Sequence, residues 1–103
     1  GCAHITGGGI KDNIKRIIPN GLTANINLKK IKTKKIFSWL KKNKISEKEM
    51  LKTFNCGIGF CIIAPKKNLK KIQKVFSKKY KPYEIGIVKK RGANLELVNS
   101  LKW

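Results

Sequence analysis

The spacing of apolar residues along the chain changes between helical and extended patterns. The isoleucines of segment 10–18 recur at the helical period, and segments 34–42 and 68–78 carry their apolar residues on one helical side. Segment 22–28 alternates apolar and polar residues, which predicts a half-buried strand. Segment 46–49, Ser-Glu-Lys-Glu, has the sequence of a capping box and predicts the start of a further short helix.

Further extended segments complete the pattern. Residues 2–5 are predicted to end a strand, and the apolar run 57–64 is predicted to form a buried strand. Segment 83–89 predicts another strand, and residues 91–94 are predicted to form a turn that would make 95–98 its hairpin partner. The resulting order, loop-α-β-α-α-β-α-β-β, indicates an α+β fold with a mostly antiparallel sheet. The core is predicted to draw on Leu22, Ile26, Phe37, Trp39, Leu40, Ile58, Ile62, Ile63, Val75 and Phe76.

Length and charge limit the class of protein. A chain of 103 residues predicts one small domain, and 25 basic against 5 acidic residues give a net charge of +20. Such a charge is typical of nucleic-acid-binding modules, which we keep as an alternative. However, all but Arg16 and Arg91 of the basic residues are lysines spread over the whole chain. Lys, Ile and Asn all have A/T-rich codons, so codon bias explains their joint excess and no specific nucleic acid is expected.

Cysteine and histidine content argues against several kinds of site. Cys2, Cys56 and Cys61 are odd in number and form no Cys-x-x-Cys pair, which disfavours a disulfide framework and a four-ligand zinc site. A reduced, cytoplasmic setting fits these cysteines best. With His4 as the one histidine, no metal site is expected from this chain alone. No apolar run approaches about 18 residues, so no membrane span is expected.

Two glycine-containing stretches carry the candidate chemistry. The first is the run Thr6 to Gly9, which precedes a predicted helix and would let a phosphate approach backbone amides closely. It lacks the Gly-Lys-Ser/Thr of a Walker A loop, and a plain surface loop is the alternative. The second stretch places Asn55 before Gly57 and Gly59 at the start of a predicted strand. Glycines in a strand indicate the close approach of either a ligand or another backbone segment, and both explanations stay open.

Taken together, the two stretches make the chain similar to the phosphoribosylformylglycinamidine cyclo-ligases (aminoimidazole ribonucleotide synthetases). The similarity extends in order and at the expected spacing over nearly the whole chain. The chain differs from the family pattern at two positions: it has Lys15 where the family usually has Pro, and Phe60 where the family usually has Met. The residues that match are Ala3-His4-Ile5-Thr6-Gly7-Gly8-Gly9, Asn13-Ile14, Arg16, Pro19, Phe37, Trp39-Leu40, Glu49-Met50, Thr53-Phe54-Asn55-Cys56-Gly57-Ile58-Gly59 and Ile85-Gly86.

The resemblance implies a place in a larger enzyme. Residues 1–103 would be most of a C-terminal domain with a partly ferredoxin-like sheet, lacking that domain's opening strand and helix. The N-terminal domain, absent here, would make most of the protein contacts to ATP and Mg²⁺. The implied partners are that N-terminal domain, a second subunit in a homodimer and a small ribonucleotide substrate.

The implied reaction uses ATP to phosphorylate the formyl amide oxygen of formylglycinamidine ribonucleotide. An amidine nitrogen then closes the imidazole ring, and ADP and phosphate are released. This chain alone is expected to be inactive. A related ATP-using synthetase of the same superfamily is the alternative, although the Asn-Cys-Gly-Ile-Gly run at 55–59 favours the cyclo-ligase.

The same resemblance implies site residues in both stretches. His4 and Thr6 are the candidate catalytic contacts, in a cleft between the two domains. No metal ligand is implied in this chain. The candidate substrate or phosphate contacts are Gly7, Gly8, Gly9, Asn13, Arg16, Asn55 and Gly57.

Overall fold

The computed structural model describes residues 1–90 and 92–103. Helices and strands follow in the predicted order and confirm the α+β class. Short 3₁₀ turns at Leu28–Lys30, Lys66–Asn68 and Lys78–Tyr80 link some of them. The elements are β1 (Cys2–His4), α1 (Gly9–Lys15), β2 (Leu22–Asn27), α2 (Lys35–Lys42), α3 (Glu47–Thr53), β3 (Phe60–Ile62), α4 (Leu69–Val75), β4 (Gly86–Lys90) and β5 (Leu95–Val98).

The strands of the described residues form two small sheets. In the three-stranded sheet, β2 lies in the centre, antiparallel to β4 and parallel to β5. The predicted hairpin between β4 and β5 is therefore wrong, because β2 lies between them and its Ala24 N–H donates to the Asn94 carbonyl at 2.9 Å. Arg91 of the predicted turn lies outside the described residues. The second sheet pairs β1 antiparallel with β3.

The core combines buried residues of α1, β2 and α3, and α1 packs on α3. Ile10 and Ile14 of α1, Ile26 of β2 and Met50 of α3 are all buried. Periodicity predicts the α1 face correctly, because residues three to four apart share one side of a helix. The helix itself ends at Lys15, earlier than residue 18.

Several residues predicted for the core lie at the surface instead. Val75 is 82% exposed, Trp39 59% and Ile62 39%, and Phe76 is also exposed. The run 57–64 is not a buried strand, since β3 covers only Phe60–Ile62 and both of its ends are exposed. An apolar sequence pattern shows which side of an element is hydrophobic but does not show whether a neighbour covers that side.

The capping box of α3 forms in part. The Ser46 hydroxyl accepts a hydrogen bond from the Glu49 N–H at 3.2 Å, as predicted. The Glu49 carboxylate does not return to Ser46; it accepts a hydrogen bond from the Thr53 hydroxyl at 2.6 Å, one turn further along the helix. The last turn of α3 lies beside the glycine-containing stretch at residues 6–9, since a Cβ on Gly9 would meet the Leu51 carbonyl oxygen.

Candidate functional site

Segment 6–9, which we call the glycine loop, connects β1 to α1. Gly8 has φ 92° and Gly9 has φ 64°, a backbone region that favours glycine. A Cβ on Gly9 would collide with the carbonyl oxygen of Leu51 and would lie 2.9 Å from that of Phe54. The loop is therefore packed directly on the C-terminal end of α3, and only glycine fits at position 9.

The side chain of Asn13 holds the inner side of this loop. Asn13 is buried on α1, and its Nδ2 donates to the carbonyl oxygens of Gly9 at 2.7 Å, Gly7 at 3.2 Å and Thr6 at 3.3 Å. The Gly9 N–H also donates to the Thr6 carbonyl at 2.9 Å. The loop conformation is thus fixed by hydrogen bonds from both the main chain and a buried amide.

The second stretch folds into a tight turn. The Asn55 side-chain oxygen accepts from the Gly57 N–H at 2.9 Å, and the Asn55 carbonyl accepts from the Ile58 N–H at 2.9 Å. Gly57 has φ 102°, and a Cβ there would lie 2.9 Å from the Lys32 carbonyl oxygen. Close backbone packing therefore accounts for Gly57, whereas a Cβ on Gly59 would have no atom of the described residues within 4 Å.

The two stretches come together in space. The Ile5 N–H donates to the Gly59 carbonyl at 2.9 Å, which joins the strand before the glycine loop to the second turn. Beside this contact lies an open depression of about 260 Å³. It is lined by Ile5, Thr6, Phe37, Thr53, Phe54 and Asn55. Thr6 and Asn55, from motifs about fifty residues apart in the chain, thus share one surface.

Other predicted site residues take different positions. His4 is exposed on β1 opposite Phe60, with the two ring centroids 6.4 Å apart. Gly7 is exposed at the tip of the glycine loop. Arg16 follows the last residue of α1, and a helix of seven residues places it about 10 Å along the axis from that loop. Arg16 therefore stands apart from the group formed by the glycine loop and Asn55.

Sequence patterns missed two lining residues. The apolar pattern predicts Phe37 of α2 only for the core, and Thr53 at the end of α3 is matched only as part of a family motif. The position of Thr53 directly before Phe54-Asn55 is the signal that could have found it. Phe37 gave no such signal, because its contact with Phe54, at 6.2 Å between ring centroids, arises only in the fold.

The cysteines do not form a nucleophilic site with His4. Burial and the nearby Glu47 carboxylate raise the pKa of the Cys56 thiol to about 11, and burial raises the pKa of Cys61 to about 11. Both thiols therefore stay protonated at neutral pH, and Cys56 is fully buried while His4 is exposed. Within residues 1–90 and 92–103, no three His, Cys, Asp or Glu side chains gather as metal ligands, and no helix could cross a bilayer.

Comparison with known proteins shows the family of the chain. Residues 1–97 match the family described as AIR synthase related protein, C-terminal domain. The chain belongs to this family. The match to the AIR synthase C-terminal domain includes both the glycine loop and the Asn55 turn, which contribute Thr6 and Asn55 to the lining of the depression.

Individual relatives of this C-terminal domain are named for purine biosynthesis. A phosphoribosylformylglycinamidine cyclo-ligase of Methylobacillus flagellatus is 39% identical over 95 residues, covering 90% of this chain and 28% of its own length. The cyclo-ligase of Neisseria meningitidis serogroup C (serotype 2a) is 37% identical over 93 residues, covering 88% and 27%. A trifunctional purine biosynthetic protein adenosine-3 of Chironomus tentans is 54% identical over 67 residues, covering 64% and 5%. The chain thus spans less than a third of the length of each of these relatives.

Proposed function

We propose that this chain forms most of the C-terminal domain of a phosphoribosylformylglycinamidine cyclo-ligase. The complete enzyme would use ATP to convert formylglycinamidine ribonucleotide to aminoimidazole ribonucleotide in purine biosynthesis. Two relatives named for that activity match about nine tenths of the chain, which supports the assignment. The observation that carries it is that Thr6 and Asn55, one from each motif, line the same depression.

In this proposal the depression is one wall of the active site. The backbone amides of Gly7 and Gly8 find no hydrogen-bond partner among the described residues, so they are free to bind phosphate oxygens. Thr6 adds a hydroxyl at the rim, and His4 lies two residues earlier on the exposed face of β1. Preorganised donors of this kind stabilise negative charge that develops on a transferring phosphoryl group.

The nucleotide would be held elsewhere. No three Asp, Glu, His or Cys side chains come together among the described residues, so these residues do not fit a Mg²⁺ site. We therefore assign ATP and Mg²⁺ mainly to an N-terminal domain of the kind that the longer relatives have room for. A homodimer in the cytoplasm completes the proposal. In this arrangement the chain supplies substrate contacts, and its isolated form turns over no substrate.

The test uses the complete enzyme, in which this chain follows its ATP-binding domain. Replacing Thr6 by Ala should lower kcat/KM about ten- to a hundredfold, because a hydrogen bond to a charged group is worth roughly 1.5–3 kcal/mol. His4→Ala should also lower turnover. Ser77→Ala is the matched control, since Ser77 is exposed and its hydroxyl caps nothing. Unchanged rates of ADP release in both His4 and Thr6 variants would contradict the proposed site.

A further inference from the structure

Asn13 has a geometry that separates it from the other proposed contact residues. It is 6% exposed, and its Nδ2 lies within hydrogen-bond distance of three carbonyl oxygens, all of them in the glycine loop. A side-chain amide has two N–H donors, so both are used within the loop. Asn13 therefore has no donor left for a ligand, although the sequence suggested it as a phosphate contact.

Because the peptide unit is planar, these hydrogen bonds also determine where the N–H groups of the loop point. In a trans peptide the C=O of one residue and the N–H of the next point in opposite directions. Because the Thr6 carbonyl points inward to Asn13, the Gly7 N–H points away from it. The Gly7 carbonyl fixes the Gly8 N–H in the same way. One buried amide thus orients two successive N–H groups toward the outside of the loop.

We propose that Asn13 is the positioning residue of the glycine loop, and that it acts by holding the loop carbonyls inward so that the Gly7 and Gly8 amides meet the substrate phosphate. This inference rests on the proposed function for the identity of that ligand. The orientation itself rests only on the hydrogen bonds of the loop. A loop without this restraint would sample conformations in which carbonyl oxygens face and repel the phosphate.

The discriminating variant is Asn13→Asp in the complete enzyme. Aspartate has the same shape, but its ionised carboxylate would place negative charge against three carbonyl oxygens. The protonated acid can still donate one hydrogen bond. Burial and the facing carbonyls raise the pKa of such a carboxyl group, so the protonated form persists to higher pH than usual. Below that raised pKa the loop is held, and above it the loop is released.

The expected result is a pH-dependent loss. At pH 8 the kcat/KM of the variant, divided by that of the wild type, should be reduced about tenfold to a hundredfold. The ratio should rise as the pH is lowered. Asn20→Asp is the matched control because Asn20 is exposed and gains the same charge; its ratio should stay flat.

Other titrating groups are removed by taking the ratio to the wild type at each pH. The described elements packed on α1 carry several such groups, and none has a hydrogen bond or ion pair with Asn13. They are Cys2 and His4 on β1, Glu47, Lys48, Glu49 and Lys52 on α3 and Glu96 on β5, in addition to Lys11, Asp12 and Lys15 on α1 itself.

A second measurement needs no variant. In the full 103-residue chain, NMR hydrogen exchange should show the Asn13 side-chain amide protected and the Gly7 and Gly8 backbone amides exchanging rapidly. A flat ratio for the Asp variant, or protected Gly7 and Gly8 amides with a rapidly exchanging Asn13 side chain, would overturn the proposal. A complete wild-type enzyme without cyclo-ligase activity would refute the proposed function instead, and the exchange data would still decide the orientation.

Discussion

Replacing Gly9 by Ala tests the packing of the glycine loop on α3. Two costs add at this position: a left-handed residue with a Cβ costs roughly 1–2 kcal/mol, and forcing extra atoms into a packed site costs about 1–3 kcal/mol. The second cost applies because the new methyl group would meet the carbonyl oxygens of Leu51 and Phe54, which belong to backbone and cannot rotate away. The sum is about 2–5 kcal/mol, against a total stability on the order of 5–15 kcal/mol for a chain of this size.

Two other glycines separate these costs. Gly21 has φ 85°, but no described atom lies within 4 Å of the position of a Cβ there, so Gly21→Ala should lose only about 1–2 kcal/mol. Among the described atoms none lies within 4 Å of a Cβ on Gly7, which has no positive φ, so Gly7→Ala should be neutral or stabilising by about 0.4–1 kcal/mol. Urea unfolding followed by far-UV circular dichroism measures all three on the 103-residue chain. If Gly9→Ala costs no more than Gly21→Ala, the loop does not pack on α3 as described.

Two further predictions concern the cap of α3 and the thiols. Ser46→Ala should lower the free energy of unfolding by about 1 kcal/mol because its hydroxyl caps the helix, whereas Ser77→Ala, which removes no such bond, should leave urea midpoints unchanged. In the folded chain a disulfide reagent should modify exposed Cys2 first, half-buried Cys61 more slowly, and buried Cys56 only after local opening; equal rates for Cys2 and Cys56 would refute the burial of Cys56. Because the pKa of the Cys56 and Cys61 thiols is raised from 9.0 to about 11, stability should be full below pH 9 and fall as the pH rises toward 11, when the unfolded chain loses protons first.

Local signals in the sequence predicted local structure well. The alternation of segment 22–28 gave β2 within one residue, and the Ser46 cap gave the start of α3. Both depend on interactions within a few residues, which a single sequence contains. The partner of β5 was wrong for the opposite reason. A strand pattern does not specify its neighbour, and the pairing of β5 with β2 brings together residues 71 apart, such as Ala24 and Leu95.

The candidate site shows the same division. Glycine at 7–9 marked the loop correctly, but the reason for Gly9, the carbonyl of Leu51, is visible only after α1 and α3 pack together. Likewise Asn13 was selected by its place in a motif, while its bonds to three loop carbonyls required the fold. For Gly57 the structure favours the packing alternative, against the backbone of Lys32.

The central position of β2 has a consequence for how the chain is made. During synthesis β2 leaves the ribosome well before either neighbour, since Leu22 pairs with Lys90 and Asn27 with Val98. At about 5–20 residues per second, that separation leaves both edges of β2 unpaired for roughly 3–14 s. A strand that waits this long is open to pairing with other nascent chains. Every copy of the chain carries a large positive charge, and the repulsion between copies opposes such pairing. The high lysine content would therefore reduce aggregation of nascent chains during synthesis.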